Sequence, residues 1–233
     1  NEGIPQESLM RAAEINAELG VVYMNKGNME LASQKLLKAL RQNPESPFVH
    51  TALGLLNERL KDFKLADKHY LESVKLIDEK DAGGGKIYNN YARYLCSKKR
   101  YEEAAKYYQR AVDDKLNTNK EVAYTNSGAC LLEQGESKQA MELFRKGLKE
   151  NRKYPPALYQ MAKLYYDEKT YQLAKAYLDR FLAVSRPSAS SAWLAYNVEK
   201  QLGNETEVSH YANILKSRYP DSEETANLYR TEK

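Results

Sequence analysis

Apolar positions recur along this chain with a helical spacing, and the whole pattern repeats about every 34 residues. Within one period the apolar residues stand three or four positions apart, which places them on one face of an α-helix. Each period holds two such segments joined by a short turn, so the sequence predicts consecutive helix pairs. The recurring residues of the first period are Leu19, Gly20, Tyr23, Gly27, Ala32, Leu36, Ala39 and Pro44.

Five further periods repeat this pattern in nearly the same register. With units counted from Ala13, small residues at positions 8 and 20 let the two helices of a pair approach closely, and larger residues at positions 7, 11 and 24 surround that contact. Gly27, Gly135 and Gly203 fall in the turn between the helices, where a left-handed residue is often needed. The matching residues are Leu53, Gly54, Ala66, Tyr70 and Ser73; Tyr91, Ala92, Leu95, Ala104, Tyr108 and Ala111; Ser127, Gly128, Leu131, Ala140, Phe144 and Gly147; Met161, Ala162, Tyr165, Ala174, Leu178 and Phe181; and Ala195, Tyr196, Val208, Ala212, Leu215 and Pro220.

These residues resemble the tetratricopeptide repeat over nearly the whole chain. The resemblance implies an all-α fold, a right-handed superhelical solenoid of about six helix-turn-helix repeats with a C-terminal capping helix. Extra residues around the glycine run 83–85 are interpreted as a lengthened turn, with a flexible hinge as the alternative. The implied divisions are an N-terminal segment at 1–12, repeats at 13–46, 47–80, 85–118, 121–154, 155–188 and 189–222, a glycine-rich insertion at 81–84 and a C-terminal cap or tail at 223–233.

Composition and charge narrow the classes of function. The 233 residues are 42% hydrophobic and 29% charged, with a formal net charge of +4, which fits a folded protein without the concentrated basic face of a nucleic-acid reader. The densest basic runs, at 98–100 and 149–153, fall in predicted turns and are interpreted as solvated charges. No apolar run approaches the roughly 20 residues of a membrane-spanning helix.

Residues that could carry chemistry are sparse. The three histidines, His50, His69 and His210, are expected to fall in different repeats, and they have no carboxylate or cysteine at the spacing of metal ligands. The glycine run 83–85 lacks the lysine and serine of a phosphate-binding loop, and no nucleophile motif is recognised. The sequence therefore predicts that the chain is not an enzyme and that it has no metal site and no cofactor.

A binding groove is the stronger candidate for function. In the tetratricopeptide architecture the first helix of each pair lines the concave side, which puts an apolar patch at the amino-terminal end: Val21, Met24, Phe48 and Leu55. Exposed apolar patches mark partner sites. The alternative is that the amino-terminal segment, through Ile4 and Leu9, folds over this patch. Further along, the expected lining is polar and aromatic: Asn89, Arg93, Tyr159, Lys163, Tyr166, Trp193 and Asn197.

The two cysteines occupy the first helices of adjacent repeats. Cys96 stands at position 12 of its unit and Cys130 at position 10 of the next, so their directions differ by about 200° around a helix. If Cys96 points towards the next repeat, Cys130 points back, which is the arrangement that a disulfide needs. The alternative is two buried free thiols in a reducing compartment.

A closer resemblance rests on residues 89–96, 100–104 and 154–158, which read NNYARYLC, RYEEA and YPPAL. These runs and the six-repeat layout resemble the pilotins of type IV pilus biogenesis, the PilF/PilW family. The resemblance implies an outer-membrane lipoprotein on the periplasmic face of the outer membrane of a Gram-negative bacterium. It also implies a role in bringing the pilus secretin to that membrane and assembling its multimeric ring.

The same resemblance implies the partner and the residues that bind it. The expected partner is the secretin, with no nucleic acid, and we expect a monomer that touches the membrane only through an N-terminal lipid. No cysteine that could carry such a lipid stands at the amino terminus of this chain, which is a departure from the family pattern. An oxidising periplasm suits a Cys96–Cys130 bridge. The expected secretin-binding positions are Val21, Met24, Phe48 and Leu55.

Two other hypotheses remain open at this point. The chain could be a generic tetratricopeptide adaptor or co-chaperone that binds a peptide or helix in its concave groove. Repeats that grip carboxy-terminal peptides of heat-shock chaperones place lysine and asparagine where this chain has Ala17 and Val21, so that clamp is absent. The chain could also belong to an envelope enzyme or its regulator, but no length remains here for a catalytic domain.

Overall fold

A computed structural model describes residues 5–77 and 83–231, and this part of the chain is helical throughout, with no strand. The all-α fold class predicted from the periodicity is confirmed. Part of the proposed insertion 81–84 lies outside the described residues. The helices are α1 (Gln6–Asn25), α2 (Met29–Gln42), α3 (Pro47–Arg59), α4 (Phe63–Lys75), α5 (Gly85–Ser97), α6 (Tyr101–Asp113), α7 (Lys120–Glu133), α8 (Ser137–Glu150), α9 (Pro155–Asp167), α10 (Tyr171–Leu182), α11 (Ala189–Leu202), α12 (Glu205–Arg218) and α13 (Glu223–Thr231).

The helices form two compact units, residues 1–123 and 124–233. In unit 1, α1 packs on α2, α3 on α4 and α5 on α6, and each pair contacts the next through α2–α3, α1–α3, α4–α5 and α3–α5. In unit 2, α9 packs on α10 and α11 on α12, with α8 against α9 and α10 against α11. Compared with the repeat ranges derived from the sequence, α1 starts early, inside 1–12, and α7 starts at Lys120, one residue before 121.

Glycine at position 8 is where the two helices of a pair approach most closely. A Cβ atom on Gly20 would lie 2.6 Å from Leu36 Cγ, and one on Gly128 would lie 2.7 Å from Phe144 Cε1. Both distances are shorter than a non-bonded Cβ contact allows, so the Leu36 or Phe144 side chain would have to shift within an interior that is already close-packed. The small residues read from the sequence at this position therefore set the spacing within these pairs.

Every turn between the helices of a pair contains one left-handed residue. Three of the six are glycine, with φ of 79° at Gly27, 81° at Gly135 and 76° at Gly203. The other three are lysines with φ between 59° and 62°, namely Lys61, Lys99 and Lys169. The residue that follows each of them donates its N–H to a carbonyl five positions earlier, which is the hydrogen bond that closes a helix C-terminus. The sequence identified the glycines, whereas the lysines were not recognised as left-handed.

The last helix covers the apolar end of unit 2. Leu228 of α13 is completely buried with α11 and α12 around it. The hydroxyl of Thr225 donates its proton to the carbonyl oxygen of Tyr219 at 2.7 Å, and the carbonyl oxygen of Leu215 lies 3.2 Å from the same hydroxyl. The buried hydroxyl of Thr225 therefore has its hydrogen-bond partner, and these contacts hold α13 against the end of α12.

Candidate partner-binding groove

The predicted groove residues lie on α1 and α3, which pack side by side in unit 1. Phe48 is the most accessible, with 41% of its surface exposed, and Val21 and Leu55 are half-buried against the core. Met24 is only 1% exposed and belongs to that core, so it supports the groove from beneath and does not present its side chain to solvent. We use the term first groove for the surface formed by Val21, Phe48 and Leu55.

A cleft of about 460 Å³ continues the first groove towards α5. Its polar wall is centred on Glu58, whose carboxylate accepts two hydrogen bonds from Arg93, at 2.7 and 3.0 Å, and one from the Tyr70 hydroxyl, at 3.0 Å. Burial and the adjacent Glu58 carboxylate raise the pKa of Tyr70 well above its usual range, so the phenol stays protonated. Burial disfavours the Arg93 charge, but the bonds to Glu58 outweigh it and the pKa of Arg93 is raised.

Arg59 connects the end of α1 to α3. Its guanidinium donates to the Met24 carbonyl oxygen at 2.7 Å and to Asn25 Oδ1 at 3.0 Å. Because the last carbonyls of a helix have no partner within that helix, a donor from the next pair satisfies one of them. The first groove is therefore a surface whose two helices are held in register by side-chain hydrogen bonds.

The amino-terminal segment does not fold over the first groove in the described residues. Leu9 is part of α1 itself, and it lies about 18 Å along the helix axis from Val21. Ile4, the other residue named in that alternative, lies outside the described residues.

An apolar stripe on α1 was not anticipated from the sequence. Ile15, Leu19 and Val22 follow one another at helical spacing and are between 38% and 52% exposed. Leu19 occupies position 7, where Leu53 of the next pair is buried against the preceding one. Periodicity gives the same apolar residue at both places, and only the packing of a neighbouring pair distinguishes buried from exposed. The stripe adds apolar surface at the amino-terminal end of unit 1.

Several residues expected to line the later groove have structural partners instead. Asn89 is buried, Arg93 is paired with Glu58, and Tyr159 contacts the Phe181 ring with 5.5 Å between centroids. The Trp193 and Tyr196 rings stack at 5.3 Å, and Asn197 donates to the Trp193 carbonyl at 2.8 Å. Aromatic residues that were expected to line the later groove, such as Tyr159 and Trp193, therefore pack against other side chains of the protein.

Two of the histidines are in contact, which corrects the expectation that all three fall in different repeats: His50 lies on α3 and His69 on α4 of the same helix pair. The Nδ1 atoms of His50 and His69 are 3.0 Å apart, and His50 Nε2 lies 2.9 Å from the Pro44 carbonyl oxygen. A carbonyl can only accept, so a neutral His50 carries its proton on Nε2 and accepts at Nδ1 from His69. Burial and the neighbouring His50 lower the pKa of His69 to about 4. No group of three or more metal-ligating side chains occurs among the described residues.

Cys96 on α5 and Cys130 on α7 are both disulfide-bonded, and no free cysteine is found among the described residues. Both side chains are almost completely buried.

None of the helices in the described ranges combines the length and apolar character required to cross a membrane.

Comparison with known proteins identifies the repeats and finds a relative that is named for its part in type IV pilus assembly. Tetratricopeptide repeat profiles match residues 7–46, 85–113 and 131–195. The type IV pilus assembly protein PilF of Pseudomonas aeruginosa is 32% identical over 211 residues, covering 91% of this chain and 82% of that protein. An uncharacterized protein of Haemophilus influenzae is 26% identical over 141 residues, covering 60% of this chain and 74% of that protein.

Solved structures agree with this comparison. The structure of Pseudomonas aeruginosa PilF superposes with a TM-score of 0.81 at 31% identity, covering 97% of this chain and all of that one. The structure of PilW, a type IV pilus biogenesis factor, superposes with a TM-score of 0.78 at 23% identity, covering 93% and 98% of the two chains, which supports the fold alone. The chain belongs to the PilF family of tetratricopeptide-repeat proteins of type IV pilus biogenesis, whose members are interaction scaffolds and not enzymes.

Proposed function

We propose that this chain is a pilotin, which binds the type IV pilus secretin and assists its localisation to the outer membrane and its assembly into a multimeric ring. Membership of the PilF family supports a scaffold in pilus biogenesis. The observation that carries the finer assignment is the apolar first groove in unit 1, where Phe48 is accessible and Val21 and Leu55 are half-buried. An accessible aromatic group beside partly buried aliphatic ones is the composition of an interface anchor.

The residues of the first groove have distinct roles in this proposal. Phe48 and the accessible parts of Val21 and Leu55 contact the secretin directly. Met24, buried beneath them, keeps the surface in shape, so its replacement acts on binding through packing. The Glu58–Arg93 pair holds α3 against α5 and orients the polar wall of the adjoining cleft. A partner with an apolar anchor and flanking hydrogen-bonding groups matches this surface.

The remaining features of the proposal follow from the same assignment. The protein functions as a monomer on the periplasmic face of the outer membrane. Its six helix pairs follow the repeat ranges derived from the sequence, except that α1 and α7 begin before their ranges. An oxidising periplasm accounts for a Cys96–Cys130 disulfide in the mature protein.

The experiment is a pull-down from detergent-solubilised envelopes with the purified chain as bait and mass spectrometry as readout. A V21D/L55D variant places two charges in the first groove, while L173D places one on an exposed apolar position of unit 2 and serves as the matched control. We expect the unmodified chain and L173D to recover the secretin, and V21D/L55D to lose it with its helicity unchanged by circular dichroism. Recovery of the secretin by all three forms contradicts the proposal that the first groove binds it. Recovery of other proteins without the secretin favours a generic tetratricopeptide adaptor.

A further inference from the structure

A second surface lies in unit 2, formed by α8, α10 and the turn between α8 and α9. It is a cleft of about 570 Å³, and we call it the basic cleft. Five cationic side chains and no acidic one are among the residues that line it. The cations are Arg145, Lys149, Arg152, Lys153 and Arg180.

Most of this positive charge is not neutralised by the protein. Arg145 pairs with Glu142 at 2.8 Å, but the other four cations make no ion pair with any described residue. Arg180 donates instead to the backbone oxygen of Arg152 at 3.0 Å, which fixes the turn after α8 against α10. Cations near the end of a helix interact favourably with its dipole, and this accounts for Lys149. It does not account for Arg152 and Lys153, which follow the end of α8.

The floor of the basic cleft is apolar. Leu148 is buried there, Val184 is 39% exposed, and the Tyr177 ring lies 5.0 Å from the Arg180 guanidinium. A free phosphate is too small to cover this floor, and a planar membrane surface does not reach into a recess between two helices. An extended peptide can reach into the recess and cover the apolar floor, because its alternate side chains point in opposite directions. Guanidinium groups bind carboxylates through paired hydrogen bonds.

We propose that the basic cleft binds an acidic peptide segment of a partner protein, with a carboxylate at the cationic rim and an apolar side chain on the floor. The cleft is built from the second helices of two pairs, whereas the first groove lies on the first helices of unit 1. The inference therefore extends beyond the proposed function and does not depend on it.

The test uses fluorescence anisotropy with the full chain and a short fluorescein-labelled peptide of alternating glutamate and leucine. The R152E/K153E variant reverses two exposed, unpaired charges of the cleft. The control K138E reverses an exposed charge near the start of α8, about 16 Å along the axis from Lys149 and beyond the screening length of about 8 Å. We expect salt-sensitive binding that R152E/K153E weakens at least about ten-fold and K138E leaves unchanged.

Three results overturn the proposal: no binding of the glutamate–leucine peptide, equal binding of a glutamine–leucine peptide, or equal losses in R152E/K153E and K138E. Phosphatidylglycerol vesicles provide the lipid arm of the test. Cleft-dependent binding to these vesicles without binding to the peptide assigns the cleft to a membrane surface and also overturns the proposal. Loss of the first groove in V21D/L55D leaves peptide binding intact, so the failure of one proposal is distinguishable from the failure of the other.

Discussion

Glu58 and Arg93, on α3 and α5, form two parallel hydrogen bonds of 3.0 and 2.7 Å, while the hydroxyl of Tyr70 donates to the same carboxylate. The Glu58 side chain is only 18% exposed, so these donors supply most of the hydrogen bonds to its carboxylate. The pair joins consecutive helix pairs in unit 1 and lies in the wall of the cleft next to the first groove.

Replacing Arg93 with methionine is therefore expected to destabilise unit 1 by about 1–2 kcal/mol, because it leaves the Glu58 carboxylate with a single side-chain donor. Chemical denaturation of the chain measures the change. The double variant E58Q/R93M is the control, since it removes the charge that Arg93 compensates, and it should regain part of the loss. E58Q is measured alongside them, and if the loss in E58Q/R93M equals the sum of the losses in E58Q and R93M, the pair contributes no coupling energy.

The left-handed lysines give a second expectation. Lys61, Lys99 and Lys169 adopt positive φ at the turn position that glycine occupies in the other three pairs. Replacing Lys99 with glycine relieves the backbone strain of a positive φ, whereas the greater flexibility of glycine in the unfolded chain opposes folding. We expect the first effect to be larger, so the variant should be more stable by up to about 1 kcal/mol. The control K106G, at an exposed lysine inside α6, should destabilise it by about 1 kcal/mol. Thermal unfolding measures the melting temperature of both variants. A shift of the same sign in K99G and K106G contradicts the assignment of backbone strain to Lys99.

These turns show what the sequence could and could not establish. The glycines of positions 8 and 15 were found because glycine has a steric or conformational reason to stand there, as at Gly20, where a Cβ atom would meet Leu36, and at Gly27, where φ is positive. A lysine at position 15 carries no such signal, since its left-handed backbone follows from the helices on both sides. Burial was also misjudged at the first pair. Met24 is in the core, and Leu19 is exposed, because lining and core positions depend on which neighbours a helix has.

The histidine pair predicts a pH dependence. The folded-state pKa of His69 is about 4 against 6.5 for an ordinary histidine, so the unfolded chain binds more protons between these values. The stabilisation is fully present above pH 6.5 and is lost as the pH falls towards 4. Lys68 lowers the pKa of His69 further, and Glu72 opposes it.

The variant H69N isolates this contribution, because its amide retains a donor towards His50 Nδ1 without titrating. The free energy of unfolding of the parent chain should fall by about 1–2 kcal/mol more than that of H69N between pH 7 and pH 4.5. Taking the difference between the two proteins cancels the contribution of the carboxylates that titrate in the same pH range. Parallel curves for the two proteins contradict the depressed pKa.

The disulfide gives a further expectation. A Cys96–Cys130 bridge closes a long loop, so in the chain-entropy model it stabilises the fold by about 4 kcal/mol. C130S should therefore lower the melting temperature under non-reducing conditions and have little effect once the parent chain is reduced. An equal difference with and without reductant indicates that the loss comes from packing of the buried side chain and that the cysteines are not bridged in solution.

The last expectation concerns a buried carboxylate in unit 2. The Glu199 side chain on α11 is 4% exposed, and it forms an ion pair with Lys175 of α10 and a hydrogen bond with Asn204. Burial disfavours the Lys175 charge, but the bond to Glu199 prevails and raises the pKa of Lys175. K175M removes the cation and leaves the carboxylate in a low-dielectric site with one amide donor. Leaving a buried charge unpaired in this way costs about 3 kcal/mol, which we expect as the loss in the free energy of unfolding.

The matched variant separates this charge effect from a loss of contacts. K175M/E199L removes both charges and keeps side chains of similar volume, so most of the stability lost in K175M should return. Denaturant titration of the three proteins compares their midpoints, and equal slopes show that unfolding exposes the same surface in each. If K175M alone is as stable as the parent chain, the Glu199 carboxylate is adequately solvated without Lys175. If the double variant is no better than K175M, Lys175 stabilises α10 against α11 through the packing of its aliphatic stem.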